Sequence, residues 1–253
     1  MNKKEAIKQT IKENHVDICC MQEVELQKDY PSQLMTFPGF SIEVEMNDTK
    51  SRVAILIKST INYTRRLELE GKNSNLMIID IDDGTNLRVI NIYRSFTPQD
   101  NIGQREKFKY QLNLMKIAIT NNTIILGDFN IDDGKRLNID YAYRNYFCDL
   151  DEVFSEFGLV QLINFVTWSR LVGSTLKSSI LDHVYVSDVT TVTNVGCTRP
   201  CFGNHMMVTL ETNLTKPGPK ESIRRDWRFY SKEILCNKLS AVDWDIAIVG
   251  VQE

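Results

Sequence analysis

Asp128 and Asn130 have the types and the spacing that hydrolysis of a phosphate ester would use. They follow Thr-Ile-Ile-Leu-Gly at residues 123–127, a run that predicts a buried strand, and side chains two positions apart leave a strand end on the same side. The carboxylate could take a proton from water, and the carboxamide could donate to a phosphate oxygen. Gly, Asp and Asn are also common turn residues, so a strand that ends in an ordinary polar turn fits the same letters.

Four further polar residues stand at or beside the ends of predicted strands, namely Glu23, Tyr93, Asp182 and His205. Each type also has an ordinary structural explanation, because exposed loop acids, half-buried strand tyrosines and structural histidines are all common. Polar groups at the ends of several strands are nevertheless what an active site at the rim of a sheet requires. The set as a whole therefore favours a hydrolytic site.

Hydrophobic periodicity predicts the elements that must position these side chains. One helix is expected over residues 3–14, and a longer amphipathic helix over 101–120 could cross back to the strand that precedes Asp128. A third helix is expected around 151–157, and strands are expected at 16–21, 40–45, 53–57, 76–81, 87–93, 123–126, 159–163, 179–186, 191–197 and 206–211.

The short connections between these strands predict how they pair. Residues 76–81 are expected to pair with 87–93 across the turn Asp82-Asp83-Gly84. The consecutive strands between residues 40 and 93 favour a single antiparallel sheet. Residues 191–197 are expected to pair with 179–186.

Length and charge limit the classes of function. A chain of 253 residues suits one large domain or two small ones and can bury a proper core. Its formal net charge is −3, so the surface as a whole does not attract nucleic acid or anionic lipid. Any binding of phosphate must therefore be local or mediated by a cation.

Six cysteines without Cys-x-x-Cys spacing, together with only three histidines, argue against a zinc site or a disulfide framework. Reduced thiols in an intracellular compartment explain the cysteines more simply. The sequence shows neither an apolar signal core nor an apolar run of membrane-spanning length. It therefore predicts an intracellular protein, nuclear if it acts on chromosomal DNA.

The composition changes beyond residue 213. Lys-Pro-Gly-Pro-Lys at 216–220 predicts a linker, so a domain is expected over residues 1–213 and a basic linker with a helical tail over 214–253. The tail interleaves basic with aromatic side chains, which could grip a nucleic-acid backbone or simply be solvated. These residues are Arg224, Arg225, Trp227, Arg228 and Tyr230.

The order and the surroundings of the polar strand ends resemble the endonuclease/exonuclease/phosphatase superfamily. The resemblance rests on Met21-Gln22-Glu23, Asn91-Ile92-Tyr93, Leu126 to Asn130, Ser179 to Asp182 and Gly203-Asn204-His205. It implies an α/β fold, a two-sheet sandwich of the DNase I type, and metal-dependent hydrolysis of phosphodiester or phosphomonoester bonds. Within that superfamily the chain looks most like the endonuclease domain of non-LTR (LINE-type) retrotransposon polyproteins. The tail, from Arg224 through Lys232 and on to Asp243-Trp244, resembles the stretch that joins such a domain to its reverse transcriptase. By that likeness the chain is expected to be a fragment of a DNA-nicking protein.

The resemblance also implies a role for each residue. Glu23 would bind Mg²⁺, or Mn²⁺ in its place, and Asp128 would orient or deprotonate the attacking water. Asn130 would bind a phosphate oxygen, and Tyr93 would hydrogen-bond the phosphate or the leaving group. Asp182 would hold His205 in one tautomer, so that His205 stabilises the pentacovalent phosphate.

Two departures from the family pattern predict weakened activity. The family begins with a strand that carries an Asn, whereas this sequence begins with the helix that should follow that strand. The family's last motif is Ser-Asp-His, and here Gly203-Asn204-His205 offers the metal an uncharged carbonyl oxygen. Alternatives are an inactive remnant that binds nucleic acid or a partner, and an enzyme acting on inositol phosphates or phospholipids.

Overall fold

The computed structural model describes residues 3–27, 36–45, 50–95, 103–198 and 203–213, together with Cys236, Asn237 and Ser240. The chain divides into two compact units, Met1–Pro217 and Gly218–Glu253. All elements discussed below lie in the first unit. The predicted nucleic-acid contacts of the tail, from Arg224 to Tyr230, fall outside the described residues.

Four α-helices and thirteen strands make up the described part of this unit. The helices are α1 (Lys3–Glu13), α2 (Leu67–Glu70), α3 (Gln104–Ala118) and α4 (Arg144–Glu156). The strands are β1 (Ile18–Gln27), β2 (Phe40–Val44), β3 (Lys50–Lys58), β4 (Tyr63–Arg65), β5 (Leu76–Ile81), β6 (Arg88–Tyr93), β7 (Thr123–Asp128), β8 (Val160–Gln161), β9 (Trp168–Val172), β10 (Thr175–Ser179), β11 (Asp182–Val186), β12 (Val192–Thr198) and β13 (Met207–Thr212).

The strands form two principal sheets. The smaller has the order β1-β3-β2, and the larger has the order β4-β5-β6-β7-β11-β8. All neighbours are antiparallel except β6 and β7, which run parallel and are joined through α3, as a parallel pair requires. Two further antiparallel pairs, β9 with β10 and β12 with β13, complete the described strands. The expected α/β class with more than one sheet is confirmed.

The larger sheet is buried on both faces because each face has its own partner layer. On β5, Leu76 and Ile78 pack with α3 and α4, whereas Met77 and Ile79 pack against β3 of the smaller sheet. Alternate residues of a strand point to opposite faces, so a strand covered on both sides must be apolar throughout. Each such side chain, fully buried, contributes about 1.5–3 kcal/mol to folding.

Helix α3 forms as its amphipathic pattern predicts. Its apolar face buries Phe108, Leu112 and Met115 against the larger sheet, and the Glu106 side chain accepts a hydrogen bond from the Gly103 main-chain N–H at 2.9 Å. The helix joins β6 to β7, the strand that ends at Asp128, so the predicted crossover to that strand is confirmed. Among the described residues no helix combines the length and the apolarity that crossing a membrane requires.

Two predicted pairings are wrong. Residues 40–93 do not form one antiparallel sheet, because β2 and β3 join β1 while β4 to β6 belong to the larger sheet. Strand β12 pairs with β13, since both sides of β11 are taken by β7 and β8. Strand β3 packs across the core against β5 and β6, where periodicity alone predicts the same burial as lateral pairing.

The first described element is a helix, as the sequence predicts, and β1 pairs within the described chain with β3 alone. Its register shifts between Gln22 and Leu26, and the strand continues to Gln27. Glu23, predicted to follow the end of this strand, therefore lies inside an irregular strand, with a φ of 52°.

Candidate active site

The ends of three adjacent strands bring polar side chains to one edge of the larger sheet. In the register of β6 and β7, Tyr93 lies opposite Asp128, and in the register of β7 and β11, Asp128 lies opposite Asp182. His205 reaches the same edge through a bridge between its backbone and that of Trp168, on the segment that leads into β13. Four of the residues singled out from the sequence are thus brought together.

Gly127 makes this close approach of β6 and β7 feasible. Its φ is 149°, and a Cβ at this position would lie 1.9 Å from the main-chain oxygen of Ile92. Any side chain would therefore force β6 away from the end of β7. The glycine in the strand end is required by packing, which places Asp128 next to Tyr93.

Asp128, Asp182 and His205 form a compact group whose potential ligand atoms all lie within 4.8 Å of one another. His205 Nδ1 lies 2.9 Å from Asp182 Oδ2. Because an ionised carboxylate only accepts, Nδ1 carries the proton of this hydrogen bond. Asp182 thereby fixes the orientation of the imidazole ring.

Burial and the neighbouring charges set the protonation of this group. Burial, and after it the neighbouring Asp182 carboxylate, raises the pKa of Asp128 from 3.8 to about 8. Burial alone would lower the pKa of His205, but the hydrogen bond to Asp182 and the nearby carboxylates raise it from 6.5 to about 8. Both groups therefore titrate close to neutral pH, as groups that transfer protons must.

Asn130 is buried and holds Asp128. Its main-chain N–H donates to Asp128 Oδ1 at 2.9 Å, and its carboxamide Nδ2 donates to Asp128 Oδ2 at 3.1 Å and to the Arg94 carbonyl at 2.7 Å. The contact with a carbonyl oxygen identifies the amide nitrogen of the side chain. Both N–H bonds of the carboxamide are thus directed at protein acceptors. Asn130 has a φ of 50°, a conformation that asparagine tolerates better than most residues.

Glu23 and Tyr93 form a second pair beside this group. The Tyr93 hydroxyl donates to Glu23 Oε1 at 2.6 Å, and burial followed by this carboxylate raises the pKa of the phenol. Tyr93 is buried, whereas Glu23 is exposed. The exposed carboxylate is therefore accessible to a ligand while a buried hydroxyl fixes one of its oxygens.

Two positioning residues were missed in the sequence. Arg94, which is buried, donates from Nη1 to the carbonyl of Asn130 at 3.0 Å and to that of Phe129 at 3.3 Å. Thr167 is fully buried, and its Oγ1 accepts from the N–H groups of Leu181 and Asp182, each at 3.0 Å. In the sequence, Arg94 directly follows Tyr93 and Thr167 directly precedes Trp168. Neither position is specific enough to predict a positioning role.

A cavity of about 610 Å³ opens onto the strand ends, a size typical of ligand sites. Asn204 is exposed on its wall, and its main-chain oxygen accepts from the Ser169 N–H at 3.0 Å. The lining residues are Glu23, Asn130, Asp132, Lys135, Tyr141, Tyr143, Trp168, Ser179, Leu181, Gly203, Asn204 and His205.

The donor set around this cavity fits a hard divalent cation. Potential ligand oxygens of Asp128 and Asp182 lie close to His205, which lines the cavity, and Glu23 and Asn204 offer further oxygens on its wall. Burial, and after it the Asp182 carboxylate, raises the pKa of Asp128, and a bound cation would favour the ionised form of this carboxyl. The closely spaced group does not include the expected ligand Glu23, which lines the same cavity as His205.

Comparison with known protein families identifies the family to which this chain belongs. The sequence model of the Endonuclease/Exonuclease/phosphatase family matches residues 1–205. A search of curated protein sequences found no match.

Several solved structures share the fold at low sequence identity. The endonuclease domain of TRAS1, a telomere-specific non-LTR retrotransposon, superposes with a TM-score of 0.64 at 16% identity, covering 84% of this chain and 93% of that one. A variant of the 3′ phosphatase NExo from Neisseria, bound to a product DNA hairpin, gives 0.60 at 18% identity over 83% and 93% of the two chains. An AP endonuclease from Archaeoglobus fulgidus gives 0.55 at 15% identity over 82% and 93%. At identities this low, the similarity of these structures establishes the shared fold alone.

Proposed function

The chain belongs to the Endonuclease/Exonuclease/phosphatase family, and we propose that it hydrolyses phosphodiester bonds of DNA with the help of a divalent cation, nicking the strand. The observation that carries this proposal is the group formed by Asp128, Asp182 and His205. It combines a proton acceptor with an oriented imidazole, and the imidazole of His205 lines the cavity. Structural neighbours support DNA as the substrate, since the Neisseria protein is described as bound to a product DNA hairpin.

Asp128 is the residue that aims and deprotonates the attacking water. The main-chain N–H of Asn130 holds Oδ1, and Asn130 Nδ2 steadies Oδ2, so the carboxylate cannot rotate freely. With a pKa of about 8 this carboxylate, once ionised, is a stronger base than an ordinary aspartate, and a bound cation would favour the ionised form. Holding the base in one orientation contributes to the rate because the geometry is set before the reaction begins.

His205 stabilises the charge that develops on the phosphate. Its Nδ1–H is directed at Asp182, so Nε2 is the nitrogen available for the substrate. The raised pKa favours the imidazolium near neutral pH, and a cation next to a pentacovalent phosphate lowers the barrier. Because Nε2 is also a donor in the imidazolium, it could bond directly to a phosphate oxygen.

Asn130 and Tyr93 act mainly by positioning the other groups. Asn130 would reach a phosphate oxygen only by giving up the hydrogen bond to Arg94 or the one to Asp128. The Tyr93 hydroxyl donates to Glu23, which places that carboxylate at the cavity. When bound, a divalent cation such as Mg²⁺ or Mn²⁺ would neutralise negative charge on the phosphate, and Glu23 and Asn204 would hold it together with the Asp128 and Asp182 oxygens.

A second candidate function is binding of nucleic acid without hydrolysis. Asn204 favours it, because an uncharged side chain at the cavity wall contributes less to cation affinity than a carboxylate would. This alternative predicts salt-dependent binding of DNA that survives the loss of Asp128. A nuclear location would accompany either function if the substrate is chromosomal DNA.

A plasmid-nicking assay with Mg²⁺ or Mn²⁺ tests the enzymatic proposal. Asp128→Asn should reduce nicking by about a hundredfold or more, since it removes the base. Glu152→Gln is the matched control, because it makes the same change of charge on the exposed surface of α4. Equal rates for wild type and Asp128→Asn would refute the catalytic assignment, and retained DNA binding would then favour the second candidate.

A further inference from the structure

The segment between β7 and α4 places two tyrosines and a lysine on one wall of the cavity. We call Lys135, Tyr141 and Tyr143 the aromatic shelf. The Tyr141 and Tyr143 rings meet edge to face with centroids 5.6 Å apart, and Lys135 Nζ lies 5.5 Å from the Tyr141 centroid. The shelf therefore presents π surface and one positive charge beside the strand ends.

The shelf is held rigidly from below. The Tyr141 hydroxyl accepts a hydrogen bond from the Asp132 N–H at 3.0 Å, and the Arg94 guanidinium lies 5.4 Å from the Tyr143 centroid. Asp132 is itself buried, with Oδ1 accepting from the Ile180 N–H at 2.9 Å. Rings fixed in this way lose little conformational freedom when a ligand stacks on them.

Chemistry at the shelf favours a nucleotide. Stacking on aromatic rings accepts any base, and a nearby lysine suits the phosphate of the strand. Among the described lining residues Lys135 and His205 supply the only positive charge, so a head group with several phosphates would leave most of its charge unpaired. Lys135 also lies 3.4 Å from Asp132 Oδ2, which weakens it further as a partner for multiple phosphates.

On this basis we propose that the aromatic shelf binds an unstacked base next to the scissile phosphate, so that the preferred substrate is single-stranded DNA or a strand end rather than fully stacked duplex. This inference rests on the proposed function, which places the scissile phosphate near His205. It requires that the base contact the Tyr141 or Tyr143 ring while the phosphate lies near His205. A base that remains stacked in duplex DNA cannot offer a face to the shelf.

The test measures binding in EDTA, where hydrolysis does not interfere. A labelled single-stranded oligodeoxynucleotide and a blunt hairpin of the same sequence are titrated by fluorescence anisotropy, and 2-aminopurine placed at successive positions reports stacking. Wild type should bind the single strand more tightly and change the emission of one position. Tyr141→Leu should weaken binding about tenfold and abolish that change, whereas Tyr141→Phe should retain both.

Lys135→Gln provides a second variant at an exposed position, so its folding is not at issue. It should reduce the salt dependence of binding while keeping the 2-aminopurine signal. Equal binding of wild type and Tyr141→Leu, or a preference for the hairpin, would overturn the inference. The two proposals fail separately, because duplex nicking without single-strand stacking refutes only the shelf, and stacking without any hydrolysis refutes only the enzyme.

Discussion

Arg94 and Asn130 bind each other's main-chain carbonyl groups: Arg94 Nη1 donates to the Asn130 oxygen at 3.0 Å, and Asn130 Nδ2 donates to the Arg94 oxygen at 2.7 Å. The Arg94 guanidinium also lies 4.3 Å from the centroid of the Tyr146 ring. This reciprocal contact connects the end of β6 to the segment that follows Asp128. Correct placement of the base therefore depends on a buried arginine that lies behind it.

Replacing Arg94 by lysine should reduce kcat more than it changes KM. Lysine keeps the charge but lacks the planar guanidinium, which lies against the Tyr146 ring while its Nη1 donates to the Phe129 and Asn130 carbonyls. A displaced Asp128 would lower kcat by about tenfold or more, because catalysis is sensitive to misplacement. Steady-state kinetics on an oligonucleotide measures the separate effects on kcat and KM. Circular dichroism verifies that the variant is folded. An unchanged kcat in folded Arg94→Lys would contradict this role.

Asp128→Asn should stabilise the protein more at about pH 8 than at about pH 5. The folded-state pKa of Asp128, about 8, lies above its ordinary 3.8, so the folded chain binds this proton more tightly than the unfolded chain. The stability from this group is therefore present below pH 3.8 and is lost as pH rises to about 8. The asparagine side chain of the variant does not titrate, so Asp128→Asn avoids this loss of stability at high pH.

Urea denaturation of wild type and Asp128→Asn at several pH values, in EDTA, measures this difference. His205 contributes in the same direction, because its pKa is also raised, from 6.5 to about 8. The control Glu152→Gln should show no such trend, since the residue is exposed. A variant that is less stable than wild type at pH 8 would show that Asp128 is ionised and well solvated in the fold.

Asp182→Asn should lower the pKa of His205 from about 8 towards 6.5 or below. The hydrogen bond and the charge of Asp182 are the groups that overcome the effect of burial. The sequence contains only three histidines, so proton NMR titration can follow each ring, with His205→Gln identifying the signal. Nicking near neutral pH should fall by about a hundredfold in parallel. An unchanged pKa of His205 in Asp182→Asn would show that Asp182 does not control the protonation of His205.

Gly127→Ala should destabilise the fold far more than Gly158→Ala. A Cβ at residue 127 would meet the Ile92 carbonyl oxygen at 1.9 Å, whereas a Cβ at residue 158 has no atom within 4 Å. Gly158 has a φ of 63°, so alanine there costs only about 1–2 kcal/mol of backbone strain. Gly127→Ala would in addition separate two paired strands, so we expect the free energy of unfolding to fall by about 3 kcal/mol or more. Equal losses in urea denaturation would mean that β6 and β7 can move apart freely.

Asn204→Asp should tighten Mg²⁺ binding by about tenfold, since a charge is added near the carboxylates that would hold the cation. Isothermal titration calorimetry gives the affinity directly, and the nicking rate at limiting Mg²⁺ should rise with it. Asn204→Ala serves as the comparison, because it removes the carbonyl oxygen without adding charge. If all three proteins bind Mg²⁺ equally, residue 204 takes no part in the metal site.

The sequence alone determined the strands whose ends carry chemistry, because strand formation and apolar run length are local properties. Asp128 and Asn130 at the end of β7, Asp182 at the start of β11 and the amphipathic helix α3 were all predicted from the letters near them. The resemblance added the order of these segments and with it the two-sheet fold. Roles assigned to single residues remain predictions until the variants above are measured.

Tertiary structure decided which strands pair and which distant groups meet. Strand β12 pairs with β13 rather than β11, and Thr167 and Arg94 hold the backbone on which Asp182 and Asn130 depend. Periodicity records that a side chain is buried but not what covers it, so these partners lie outside any local pattern. The raised pKa of Asp128 has the same origin, since its burial and the neighbouring carboxylate from another strand exist only once the chain has folded.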